Sequence, residues 1–311
     1  MSAPQNRTLA AFGAVMVYAV LIAFTDNFVR IIARDGGLWQ FHATRTLMAL
    51  VLLALAAVPL GLHLRPKRPG PVLARSAIHA AAMVIYFGAL AFLPVAQVAA
   101  GLFTAPIFVL LIQRLLYGRP IGMVRVLAVL TGFLGAVLVL GPEAMTGASF
   151  AALLPILSGA LYAMGNIATR EWCAGEAAAT LLAGFFAMLG VIGLVGMAVL
   201  WLLPVPVAEG ADGFLVRGPV WPTGDFLWWT FVQAAGSLVG VGMIVRAYQI
   251  ADAARVSVFE YVILPASAAW GLVLWGERLT WMAMAGMALI VVAGLLIARP
   301  EKAQSPTASR Q

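Results

Sequence analysis

The chain has 311 residues, of which 63% are hydrophobic and 10% charged, and its mean hydropathy is +1.00. Soluble domains carry about 25% charged residues, so this composition excludes a water-soluble fold. The net charge of +7 does not indicate nucleic acid, because the basic residues lie in short loops between apolar runs, where they act as orientation signals.

Runs of about 20 apolar residues recur along the chain, and each is long enough to cross a bilayer as a helix. The alternating short strands of a membrane barrel are absent. In chain order the predicted spans cover 8–32, 38–62, 72–93, 95–116, 121–140, 148–169, 177–203, 226–250, 254–275 and 280–298. The first run is too long for a cleavable signal peptide and reads as a span. Connections are short except for a Pro- and Gly-rich stretch over 204–225, and residues 302–311 read as a disordered tail. Ten spans put both termini on one side. Of 19 Lys and Arg, five (Arg30, Arg34, Arg45, Arg217, Arg278) fall on the other side, leaving 19 − 5 = 14 on the terminal side. That excess predicts cytoplasmic termini in the inner (plasma) membrane.

The two halves repeat. LPVAQVAAGLFTAPIFVLLIQRLLYGRP in the first is echoed by ADAARVSVFEYVILPASAAWGLVLWGER in the second, matching Pro106 with Pro265. Asn27 likewise matches Asn166. The predicted units are 1–145 and 146–301. Five spans per unit is odd, so the copies point oppositely in the membrane, with a substrate site near the midplane between them. The fold class expected is an all-α polytopic membrane protein of ten transmembrane helices, two inverted five-helix repeats around a central cavity.

Polar groups inside a span cost roughly 2.5–3.5 kcal/mol for a central Asp, so the few present are candidates. Glu260 in the ninth span reads as a proton-coupling or amine-binding carboxylate, or as a structural partner of Arg246 or Arg255. His79 shares a helical face with Met83 and Tyr86; it reads as a coupling or carboxylate-binding imidazole, or as an interhelical hydrogen-bonding group. Gln233 and Ser237 share a face of the eighth span, where a buried amide needs several partners. Gln97 and Thr104 give the fourth span a similar face. Phe103, Tyr162 and Tyr261 offer aromatic walls that suit an amphipathic ligand, or plain helix packing. Asp26 and Arg45 are expected at similar depth and to pair, as a structural link or an outer gate. Asn27 and Asn166 are expected to bond backbone. Pro106 and Pro265 are expected to bend their helices, as hinges or as fixed shapers of a cavity. The single cysteine, Cys173, permits no intrachain disulfide, and neither metal-ligand spacing nor a cofactor motif is present.

With Asn27 and Asn166, the FHATR segment ending in Arg45, the matched Pro106 and Pro265, and the GER of Gly276–Arg278, the sequence resembles the drug/metabolite transporter superfamily in its ten-helix, two-EamA form. Arg119 stands in the first half where Glu277 stands in the second, a departure from the motif. The resemblance implies a non-enzymatic exporter of amino acids, including aromatic or other neutral ones (as in the YddG-type branch), or of related metabolites. Its partners are then the small-molecule substrate, the lipid bilayer and a proton. Export of cationic drugs is the alternative, weakened because Asp26 and Glu260 are the only acids embedded in the spans. An intramembrane enzyme would need a GxSG or HExxH motif, and neither occurs.

Overall fold

The computed structural model describes residues 7–89, 95–141, 153–276 and 279–298. Among them there is no strand. Lipid offers no hydrogen bonds, so each span satisfies its own backbone by coiling. The first span is Thr8–Asp26, continued as Val29–Asp35; the second is Leu38–Ala57 and the third Pro69–Ala89. The fourth comprises Val95–Leu102 and Ala105–Leu115, followed by Met123–Leu140 and Leu153–Glu171 as fifth and sixth. The seventh and eighth are Ala178–Leu202 and Gly224–Ile250. The ninth runs through Ala253–Phe259, a 3-10 turn at Glu260–Val262 and Ile263–Trp275, and the tenth is Trp281–Ala298.

Each predicted span therefore corresponds to helix over most of its described residues. Nine segments among the described residues are long and apolar enough to cross a membrane. The sixth, at 19 residues, is not one of them, because it carries Asn166, Thr169, Arg170 and Glu171. Its neighbours explain the tolerance: it packs on the third, fourth and eighth spans, inside the bundle. The chain is an all-α polytopic membrane protein. The ends of the two predicted units, Glu277, Arg278 and the predicted tail lie outside the described residues, as does the side chain of Gln97.

The packing of the first five spans on the last five has an exchange pattern. The first span packs on the eighth and the third on the sixth; the first on the ninth and the sixth on the fourth; the second on the eighth and the seventh on the third. The fifth–tenth, second–seventh and fourth–ninth contacts map onto themselves. Adding five to each span number of the first half thus reproduces the principal contacts.

Small residues set the closest approaches. A Cβ on Gly135 would lie 2.7 Å from the Gly286 carbonyl oxygen, and one on Gly286 would lie 2.5 Å from that of Gly135. The fifth and tenth spans therefore meet backbone to backbone, the contact that small residues permit in membranes. Outward faces are apolar, with Leu194, Val195, Val291 and Leu295 all exposed, as a lipid-facing surface requires.

Both proline-bearing spans break just before the proline. In the fourth, Phe103 and Thr104 interrupt the helix and Pro106 sits in the first turn of the next segment. In the ninth, the Glu260–Val262 turn precedes Ile263–Trp275, where Pro265 is third. A first-turn proline loses no helical hydrogen bond, so the break, rather than a strained kink, absorbs its geometry. Thr104 donates to the Gly101 carbonyl at 2.6 Å and satisfies an acceptor freed there.

The connection between the seventh and eighth spans is tied down. Arg217 Nη1 donates to the carbonyls of Ala33 (2.9 Å) and Gly36 (2.8 Å), capping the end of the first span. Gln40 and Val220 exchange two hydrogen bonds, and Phe214 is buried with Phe41 and Phe87. At the opposite end, which carries the termini, Arg119 pairs with Glu171 at 2.9 Å and Arg125 with Asp252 at 3.4 Å.

Candidate functional site: a cavity between the two halves

A cavity of about 330 Å³ lies between the halves. That is at the lower end of the roughly 300–1,000 Å³ typical of small-molecule sites. Its walls are mostly apolar and aromatic: Tyr18, Tyr86, Phe87, Phe103, Tyr162 and Phe185 all line it. The polar groups fall into three clusters.

In the first cluster, Gln233 joins two charges. Its Nε2 donates to Asp26 Oδ1 at 2.8 Å, and its Oε1 accepts from Arg45 Nη1 at 3.0 Å and from Ser237 Oγ at 2.7 Å. The expected Asp26–Arg45 pair is thus corrected: the two are linked through an amide, with no direct ion pair. The reason is that the eighth span packs on both the first and the second, placing Gln233 between them. Arg45 and Gln233 are buried, while Asp26 keeps an exposed surface at the cavity wall. Arg45 also lies over the rings of Phe41 and Phe186, at 5.0 and 5.8 Å, a favourable position for a cation.

Glu260 occupies the helix break of the ninth span. Its Oε2 accepts from Tyr162 at 2.7 Å and its Oε1 accepts from Tyr248. It is 8% exposed and in the cavity wall. No ion pair reaches it among the described residues, so the expected partnership with Arg246 or Arg255 is not formed. Two phenol hydroxyls take the place of a cation, which the largely apolar surroundings of this turn would otherwise demand.

In the third cluster, His79 Nε2 meets Asn166 Oδ1 at 3.0 Å. The imidazole stands edge-on to Tyr162 and Phe185, with centroids 5.5 and 6.2 Å away. The imidazole lies against Gly165, where any side chain would collide with it. Asn27 does bond backbone, donating to Ala23 O at 2.7 Å; its repeat partner Asn166 instead meets a side chain, because the third span presents His79 there.

Of the predicted residues, His79, Met83, Tyr86, Phe103, Tyr162, Gln233, Ser237 and Glu260 line one cavity, together with Asp26, Arg45 and Pro106. Tyr261 and Pro265 do not. The Tyr261 hydroxyl donates to the Phe103 carbonyl at 3.1 Å and its ring covers Gly132, so it packs the ninth span on the fifth. The 3-10 turn accounts for this, because it rotates consecutive residues Glu260 and Tyr261 to different sides. Pro265 is half-buried and is not in the cavity wall. Reading the sequence missed Tyr18, Tyr248 and Arg75. Arg75 counts there with the terminal-side cations although it falls inside the predicted span 72–93; it is 1% exposed and lines the cavity. Its spacing of four from His79 was the available signal, since residues i and i+4 share a helical face.

A membrane-embedded cavity between two packed halves, with few polar groups in an aromatic wall, is the site of a small-molecule carrier. Comparison with known proteins gives the family. The EamA-like transporter family profile matches residues 9–141. A riboflavin transporter of Rhizobium johnstonii is 31% identical over 86% of this chain and 81% of its own. One from Brucella anthropi is 29% identical over 87% and 89%. The pseudopaline exporter CntI of Pseudomonas aeruginosa is 26% identical over 92% and 96%. A crystal structure of a protein 20% identical superposes with a TM-score of 0.72, covering 95% of this chain and 98% of that one, which supports the fold. The chain belongs to the EamA-like transporter family, within the drug/metabolite transporter superfamily.

Proposed function

We propose that this transporter exports amino acids, aromatic or other neutral ones, and related small metabolites from the cytoplasm by alternating access. Both termini lie in the cytoplasm of an inner-membrane protein, as the 14-to-5 distribution of Lys and Arg favours. Residues 1–145 and 146–301 act as two inverted repeats; the exchange pattern of the packing supports this division. The observation that carries the reading is Glu260, a buried carboxylate without a cation, held by Tyr162 and Tyr248 in an aromatic cavity between the halves. An ammonium group is the ligand that satisfies such a carboxylate, and the aromatic walls take an apolar side chain.

Glu260 exchanges between proton and substrate amine, with His79 as the second coupling group. The breaks before Pro106 and Pro265 serve as hinges, and the Asp26–Gln233–Arg45 bridge serves as the outer gate. Counterflow in proteoliposomes tests this: preloaded amino acid should drive uptake of labelled amino acid, saturably, and a pH gradient should change its rate. Failure of a whole amino-acid panel to compete removes the function.

A second reading is a flat heteroaromatic substrate of the riboflavin type. Its support is the name of two relatives and the ring-lined wall formed by Tyr18, Tyr86, Phe103 and Phe185. Riboflavin competing in the same assay where amino acids do not would favour it.

A further inference from the structure

We infer that Arg75 is the anion anchor of the transported molecule, its guanidinium taking the substrate's carboxylate while Glu260 takes the cationic end. The inference rests on the carrier reading above and narrows its substrate to a zwitterion.

Arg75 lies inside the helix Pro69–Ala89, almost two turns from its start, and is 1% exposed. Two neutral groups hold it. Its Nε donates to Thr169 Oγ1 at 2.8 Å and its Nη1 to the Leu181 carbonyl at 3.1 Å. Thr169 is itself fixed, because its hydroxyl donates to Gly165 O at 2.9 Å and so presents a lone pair to the guanidinium. The side chain is thereby locked between the sixth and seventh spans. Five N–H groups are available on a guanidinium, and Nη2 donates to nothing in the protein among the described residues. No carboxylate pairs with it.

Arg45 provides the contrast on the same cavity. It shares Gln233 with Asp26, so its charge is compensated within the protein. A buried ion without a counter-ion is strongly unfavourable, and ionisable groups kept inside membranes serve transport paths and ligands. Arg75 and Glu260 both line the cavity, carry opposite charges, and have no ionic partner among the described residues. One molecule with a charge of each sign compensates both at once. A planar guanidinium with a free edge favours a carboxylate, which it meets with two parallel hydrogen bonds.

The test uses the full chain and four probes: L-phenylalanine, L-phenylalaninamide, 3-phenylpropionate and 2-phenylethylamine. Binding is read from thermal unfolding of purified protein, and transport from counterflow in proteoliposomes. The wild type should bind L-phenylalanine at least about tenfold better than its amide, a factor worth about 1.4 kcal/mol. In Arg75→Gln that ratio should fall to near one. In Arg75→Lys, which keeps the charge and serves if the glutamine variant does not fold, the ratio should persist but shrink. A merely structural Arg75 would weaken all four probes together and leave the ratio unchanged, which overturns the proposal. So does a wild type that favours the amide or amine over the carboxylates, or that binds none of the carboxylate probes. Counterflow of riboflavin in either case would leave the carrier reading standing. Charge-selective binding without any counterflow would sink the carrier reading and leave the anchor.

Discussion

Gly101 stands in the fourth span where Glu260 stands in the ninth: each lies five residues before its matched proline, at the edge of a helix break. Gly101 packs its backbone against Pro155, leaving no room for a side chain. Glu260 instead extends a carboxylate to two tyrosines. The break is common to both halves; the charge belongs to one. Function at this position is therefore asymmetric even where the backbone plan is duplicated.

Glu260→Gln is expected to fold, since the amide oxygen still accepts from a tyrosine, but to lose its charge. Substrate counterflow should fall by about tenfold or more, the loss expected for a charge-assisted contact of roughly 1.4 kcal/mol or above. Its response to a pH gradient should vanish. Full transport with unchanged pH dependence would eliminate the coupling role.

Tyr248→Phe removes one donor to Glu260 while keeping the ring. A hydrogen bond to a charged group is worth about 1.5–3 kcal/mol, so a lower unfolding temperature is expected. Adding Glu260→Gln should cost less in the Tyr248→Phe background than in the wild type, because the two changes remove one shared contact. Strict additivity in a double-mutant cycle would show that the contact is not formed.

Gln233→Leu should leave Asp26 and Arg45 without their common amide. The cost is that of unsatisfied buried polar groups, about 1–3 kcal/mol, visible as a lower melting temperature. Gln233→Glu should be worse tolerated near Asp26 than near Arg45, so Asp26→Asn is expected to restore stability to it. A neutral Gln233→Leu would place the bridge outside the folded state's essential contacts.

Gly135→Leu and Gly286→Leu should each force the fifth and tenth spans apart. Overpacking of this kind costs typically 1–3 kcal/mol and more for large side chains. Reduced monodisperse yield and melting temperature are expected for both. Gly294→Ala is the control: nothing lies within 4 Å of its added Cβ, and the helix gains about 0.5–1 kcal/mol over glycine.

Arg217→Ala should release the connection between the seventh and eighth spans, which its guanidinium ties to the Ala33 and Gly36 carbonyls. Faster cleavage within 204–223 by an added protease is the expected readout, with cavity binding little changed.

The spans were legible because a bilayer enforces long apolar runs, and the matched prolines marked the two breaks. Depth along a helix was legible too: Asp26 and Arg45 do lie close enough to share a partner. What joined them was not, because Gln233 is 207 residues from Asp26 in sequence, and only packing reveals which helix comes between. Arg75 was misread for a local reason. It lies in the first turn of the predicted span 72–93 and counts with the terminal-side cations, whereas the helix begins at Pro69 and places it almost two turns in. Tyr248 was hidden near a span end beside Arg246, where an aromatic reads as an interfacial anchor. Tyr261 misled by adjacency to Glu260; a 3-10 turn changes the angle between neighbours.

Around the buried charges, several polar bonds cross from one half of the chain to the other: Asp26 to Gln233, His79 to Asn166, Arg75 to Thr169 and Leu181, Ser158 to Ala82. Each half alone would face hydrocarbon with orphaned donors, acceptors and charges. Neither is a viable membrane protein without its counterpart, so encoding both in a single polypeptide guarantees equal dosage and spares the cell any search for a mate.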